Sequence, residues 1–250
     1  MTGLELAAVF GAGMAAGTVN TIVGSGTLIT FPVLLAFGYP PVLANTSNTV
    51  GLVPGSFSGA VGYRRELAGQ RARLVRLGAA SMLGGLTGGL LLLVLPPAAF
   101  RAIVPVLIAL ACVLVVLQPR LAARLATPHP RPAHGSALLL VGVYLVGIYG
   151  GYFGAAQGVL LIALLGLFFA DGLQRINAAK NVLAGLVNMV AAVLFVAVGQ
   201  VAWLPAALIA AGSVVGGQLG ATVGRRLPAV VLRSLIMAVG AVAIVMVVAG

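Results

Sequence analysis

A chain of 250 residues that is 61% hydrophobic and only 7% charged carries more apolar surface than a soluble fold can bury, since soluble domains are on average about a quarter charged. A net charge of +11 would point to nucleic acid in a soluble protein, but here the arginines cluster in short segments between apolar runs, the pattern that sets membrane orientation. With one cysteine, Cys112, inside an apolar run, a disulfide framework and a CxxC metal cluster are excluded as well.

No Lys or Arg precedes Arg64, so the start lacks a basic n-region and no cleavable signal peptide is expected. The first apolar run, residues 4–37, is too long for one ordinary helix. It is also too short for two full spans, because crossing a hydrocarbon core of about 30 Å takes roughly 20 helical residues. Gly24, Ser25 and Gly26 interrupt it. The expectation is two short helices meeting at a break, a re-entrant segment, with Thr18, Asn20, Thr21, Ser25, Thr27 and Thr30 gathered around it.

The second run, 42–63, opens with Asn45, Thr46, Ser47, Asn48 and Thr49. A helix N-cap needs one such residue. Five in succession offer amides and hydroxyls, beside the positive end of a helix, to an anion. The arginines between Arg64 and Arg76 follow, then runs at 77–95 and 102–118. Stretches such as Leu90 to Leu95 are solidly apolar, without the period of two that barrel strands show, so the spans are helical.

A segment rich in proline and arginine and holding both histidines, His129 and His134, occupies 119–135. It divides the chain into 1–118 and 136–250. The run 136–170 is broken at Gly154 to Gly158, with Gln157 inside the break, and 178–199 is preceded or entered by Asn177, Lys180, Asn181 and Asn188. Runs at 203–223 and 229–249 complete eight. A lysine inside an apolar helix is commonly a snorkelling residue. Lys180, opposite Ser47 in the other half, also suits the counter-charge of an anion.

The halves repeat. Ser81, Gly84, Gly85 and Gly88 recur as Ser213, Gly216, Gly217 and Gly220, and Pro96 and Arg101 recur as Pro228 and Arg233, all displaced by 132. Asn48 falls opposite Asn181 at 133. Internal repetition is frequent in secondary transporters. With eight simple spans, Arg175, Lys180, Arg225 and Arg226 would face away from the Arg64 to Arg76 cluster. If each long run instead enters and returns on one side, all face the cytoplasm. The fold expected is therefore an all-α polytopic membrane protein of two inverted repeats, each of four to five helical segments with a broken first segment.

The acids are Glu5, Glu66 and Asp171, each near a run edge, so no carboxylate stands mid-membrane for a proton relay. A negative cell interior favours anion exit by about 2.3 kcal/mol per charge per 100 mV, which tilts direction toward export. There is no H-E-x-x-H, paired carboxylate or nucleotide loop, so neither an enzyme nor a cofactor or metal site is expected.

The order and spacing of Gly17 to Gly26, Phe31 and Pro32, Gly38 to Pro41, Ala44 to Asn48, Ser58 to Arg65, Gly150 to Gly158 and Asn177 to Asn181 resemble the sulfite exporter TauE/SafE family of permeases. The departure is the first break, which reads Gly24, Ser25, Gly26, Thr27 with less glycine than that family's pattern. The resemblance implies transport of sulfite, sulfonates or other organic anions, usually out of bacterial cells and thus across the inner membrane.

On these grounds the candidate substrate-binding residues are Asn20, Ser25, Thr46, Ser47, Asn48, Gln157, Lys180 and Asn181. The partners expected are a small anion and the bilayer, with no nucleic acid, and assembly as a homo-oligomer fits the same reading. A non-transport scaffold or assembly factor, or a passive anion channel, are the alternatives that sequence leaves open.

Overall fold

The computed structural model describes residues 2–125 and 137–222, with isolated helical positions at 238 and 241. His129, His134, Arg225, Arg226, Pro228, Arg233 and, apart from 238 and 241, the run 229–249 lie outside the described residues. Among the described residues all regular structure is helical: α1 (Gly3–Ile22), α2 (Thr27–Ala36), α3 (Pro41–Gly62), α4 (Arg71–Val94), α5 (Pro97–Leu125), α6 (Ala137–Tyr152), α7 (Gln157–Phe168), α8 (Leu173–Ala197) and α9 (Trp203–Thr222). Four are long and apolar enough to cross a membrane: Arg71–Val94, Pro97–Leu117, Leu173–Ala197 and Trp203–Thr222. The chain is a membrane protein.

Local chemistry sets several ends. Thr2 and Glu5 form a reciprocal capping box at the start of α1. Pro41 sits at the first position of α3, where its fixed φ suits a helix and its missing N–H costs nothing. That start places Asn45 to Thr49 in the second and third turns, so none of them caps the helix, and the backbone N–H groups of that run are spent inside α3. Helix α5 continues to Leu125, seven residues beyond the compositional boundary at 118, through the helix-favouring sequence Leu121, Ala122, Ala123, Arg124, Leu125.

Both long first runs are broken where glycine interrupts them. After α1 the chain reverses, for Gly26 lies against the Ala16 carbonyl and the Asn20 Cβ. After α6 it reverses again, with the Gln157 side chain laid on Gly150. Each break therefore makes a helical hairpin, α1–α2 and α6–α7.

Glycine then explains how the halves join. Helix α1 packs along α9, and α6 along α4. A Cβ on Gly17 would lie 2.7 Å from Ser213 Cα, and one on Gly147 would lie 2.8 Å from the Ser81 carbonyl. Gly216 and Gly84 answer from the other sides, against the Met14 and Tyr144 carbonyls. Backbones approach this closely only where side chains are absent, which is why the Ser-x-x-Gly-Gly-x-x-Gly pattern recurs.

Loops gather at two faces. At one, Gln70 Nε2 donates to the Arg175 carbonyl (3.1 Å), Arg175 Nη1 donates to the Ala68 carbonyl (3.2 Å), and Arg73 pairs with Asp171. The α3–α4 and α7–α8 loops therefore share that face, together with Arg64, Arg65, Arg71 and Arg76. At the other, Thr46 Oγ1 donates to the Gln200 carbonyl and the Ala202 N–H donates to Ser47 Oγ (2.8 Å). Pro40, Pro41, Pro97, Arg101, Val198 and Gln200 line a cleft of about 580 Å³ there, which brings the α2–α3, α4–α5 and α8–α9 junctions together.

Candidate functional site

The two breaks meet in the protein interior. The Gly158 N–H, at the start of α7, donates to the Gly24 carbonyl (3.1 Å), and a Cβ on either glycine would overlap the other's backbone. Gly24 has φ of 88°, open to glycine at little cost. The second break contains Gly154 at 78° and, unusually, Ala156 at 59°, a left-handed conformation rare outside glycine. The first N–H groups of a helix lack intrahelical acceptors and carry the positive end of its dipole. Short helices α2 and α7 thus bring two such ends together in the interior.

Polar side chains surround this junction in two crossed sets. Lys180, 1% exposed, donates from Nζ to the carbonyls of Asn20 (2.7 Å) and Thr21 (3.1 Å) and to Asn181 Oδ1 (2.8 Å). Asn177 and Asn181 also donate to the Thr21 carbonyl, at 3.1 and 3.3 Å. Helix α8 therefore closes the C-terminal end of α1, where a cation complements the negative end of the dipole. In the other half Asn45 Nδ2 donates to the Tyr152 carbonyl at the end of α6 (3.0 Å). Asn48 bridges Thr27, to whose Oγ1 its amide donates (3.2 Å), and Thr30, whose hydroxyl donates to Asn48 Oδ1.

The starts of α3 and α8 (Pro41, Leu173) and the caps Asn45 and Asn177 are all 132 apart. In that register Lys180 faces Asn48, not Ser47.

Of the eight expected residues, Asn20, Ser25, Asn48, Gln157, Lys180 and Asn181 lie on the hairpins or on the helix turns that close them. Asn20 Nδ2 reaches Ser56 Oγ at 3.3 Å. Thr46 and Ser47 are elsewhere, holding the α8–α9 loop at the outer end of α3. What they tie down is a loop distant in sequence, and no spacing within one helix signals that.

Several buried polar atoms around the junction make no hydrogen bond: Ser25 Oγ, Gln157 Nε2, Thr21 Oγ1, Asn45 Oδ1 and Asn177 Oδ1. Buried donors and acceptors are nearly always paired, so unpaired ones concentrated at one junction make it the candidate site for a polar guest. Thr21, Asn45 and Asn177 were not among the expected eight, although each lies within a few residues of one. Among the described residues no group of three or more His, Cys, Asp or Glu side chains could hold a metal ion.

The arginine face is tied by charge. Asp171 pairs with Arg73 and, at 3.2 Å, with Arg175, while the Arg73 guanidinium stacks 3.7 Å from the Phe169 ring centre. Burial pushes the Asp171 carboxyl up, but hydrogen bonds and charge from Arg73 and Arg175 outweigh it and hold it below the usual carboxylate value.

A family model described as sulfite exporter TauE/SafE matches residues 9–247. A probable membrane transporter protein of Haemophilus influenzae is 30% identical over 245 residues, covering 94% of each chain. The probable membrane transporter protein YfcA of Escherichia coli K12 is 26% identical over 240 residues, 96% of this chain and 88% of its own. A probable membrane transporter protein, ORF9, of a Sinorhizobium species is 26% identical over 234 residues, 94% of this chain and 88% of its own. No solved structure matches.

Proposed function

This chain belongs to the sulfite exporter TauE/SafE family of membrane transporters, and on that premise we propose that it carries a small anion, sulfite or an organic sulfonate, outward across a bacterial inner membrane. The observation that carries the reading is the meeting of the α2 and α7 starts at Gly24 and Gly158, beside the unpaired Ser25 Oγ and Gln157 Nε2. Two positive helix ends and free side-chain donors suit an oxyanion. The anion would lie between them, with Asn20, Asn48, Lys180 and Asn181 as the surrounding polar wall and Thr46 and Ser47 along the outer approach. No mid-membrane carboxylate competes for the site or opposes an anion's charge, and exit is favoured by the membrane potential.

The test separates binding from folding. An unpaired buried hydroxyl contributes nothing to stability, and replacing it by an apolar group is neutral or favourable. Ser25→Ala and Gln157→Leu should therefore keep or raise the unfolding midpoint in detergent while lowering sulfite flux in proteoliposomes at least tenfold. Parental flux in both variants would overturn the reading.

The same proposal takes residues 1–118 and 136–250, joined by the linker 119–135, as inverted repeats. In its support, the α3–α4 loop shares a face with the α7–α8 loop, whereas its repeat counterpart, the α8–α9 loop, lies with the α2–α3 loop. In a Cys112→Ala background, Ala68→Cys and Gln174→Cys should react with an impermeant thiol reagent only from the cytoplasmic side, and Gly38→Cys and Gly199→Cys only from the opposite side. Labelling of 68 and 174 from different sides would refute the inversion.

A further inference from the structure

The two helix ends at the breaks are treated unequally. At the end of α1, the Asn20 and Thr21 carbonyls receive four hydrogen bonds from Lys180, Asn177 and Asn181, two of them from an ammonium; the ammonium's third bond goes to Asn181 Oδ1. At the end of α6 the same backbone turn is present, with Phe153 and Gly154 N–H both donating to Tyr149 O, as Val23 and Gly24 N–H do to Val19 O. There, however, only Asn45 Nδ2 arrives, at the Tyr152 carbonyl. The Gly150 and Gly151 carbonyls accept nothing among the described residues, and Asn48 stands where the 132-residue register puts Lys180.

A second observation singles out that end. Asn45 is fully buried, and its Oδ1, on the same planar group that reaches Tyr152, is an acceptor without a donor. That end thus offers four oxygens, two free backbone carbonyls, one shared carbonyl and a side-chain carbonyl, at the negative end of a helix dipole, with the Gln157 amide lying beside Gly150. Half-helix C-terminal ends and freed carbonyls are how broken membrane helices hold sodium, and acceptors left bare in a dry interior are costly.

We propose that a sodium ion binds at the C-terminal end of α6, held by the Gly150, Gly151 and Tyr152 carbonyls and Asn45 Oδ1, as the exchangeable equivalent of the Lys180 ammonium. The anion site would then be flanked by one tethered and one bound cation. The inference rests on the transport reading only for this last consequence; the cation site itself stands on the oxygens.

The test compares unfolding midpoints of the purified protein in sodium, potassium and N-methylglucamine chloride at equal concentration, so that the anion is constant. Sodium should give a saturable rise of several degrees that the other two do not. Asn48→Lys, which supplies the missing ammonium, should be as stable without sodium as the parent is with it, and should lose the response. Lys180→Asn should acquire a second, additive sodium dependence. Equal midpoints in the three salts, or an Asn48→Lys protein that responds like its parent, would overturn the proposal. Sulfite flux in a protein with no sodium response would sink the cation site and leave transport standing. A sodium response in a protein that moves no anion would do the reverse.

Discussion

Gly24→Ala should be the most damaging single methyl in the protein, because it breaks two requirements at once. The residue sits at φ of 88°, where a side chain costs about 1–2 kcal/mol, and its Cβ would overlap the Gly158 backbone, overpacking worth a further 1–3 kcal/mol or so. Gly38→Ala is the built-in comparison: φ is 81° with nothing within 4 Å of the new methyl, so the dihedral cost alone applies. Thermal unfolding in detergent should show Gly24→Ala well below Gly38→Ala. Equal midpoints would mean that contact between the two breaks does not hold the hairpins in place.

The second large effect is expected at Lys180. Replacing it by Met keeps most of the volume and removes the ammonium, leaving the Asn20 carbonyl without a donor and the Thr21 carbonyl with the two amides only. An unsatisfied buried acceptor costs about 1–3 kcal/mol, part of it returned because an ion no longer has to be kept out of water. Lys180→Met should therefore lower the unfolding midpoint and also reduce anion flux at least tenfold, through loss of positive charge beside the α7 start. Ser25→Ala loses flux alone. If Lys180→Met destabilises the protein but transports at the parental rate, the lysine serves only to close α1.

What could be read from the chain and what could not divide along a physical line. The breaks at Gly24 and Gly154, the helical spans and the glycine repeat were legible, because broken hydrophobic runs and small-residue spacing are local signals. The partner of Lys180 was not. It bonds carbonyls 159 and 160 residues away, and backbone oxygens carry no mark in sequence. Thr46 and Ser47 appeared equivalent to Asn48 because they are adjacent, but on α3 they turn toward residues 200 and 202 while Asn48 turns toward α2. The unpaired atoms at Ser25 and Gln157 emerge only once every neighbour is placed.

The glycine seams have a mechanical consequence. Since α1 is pressed onto α9 and α6 onto α4 with backbone against backbone, each half of the chain wears the other's first helix. Rocking the halves apart as separate blocks would tear both contacts along their length. Movement that alternately uncovers a solute must instead leave this interlocked frame whole and slide or tilt the short arms, α2 and α7, within it.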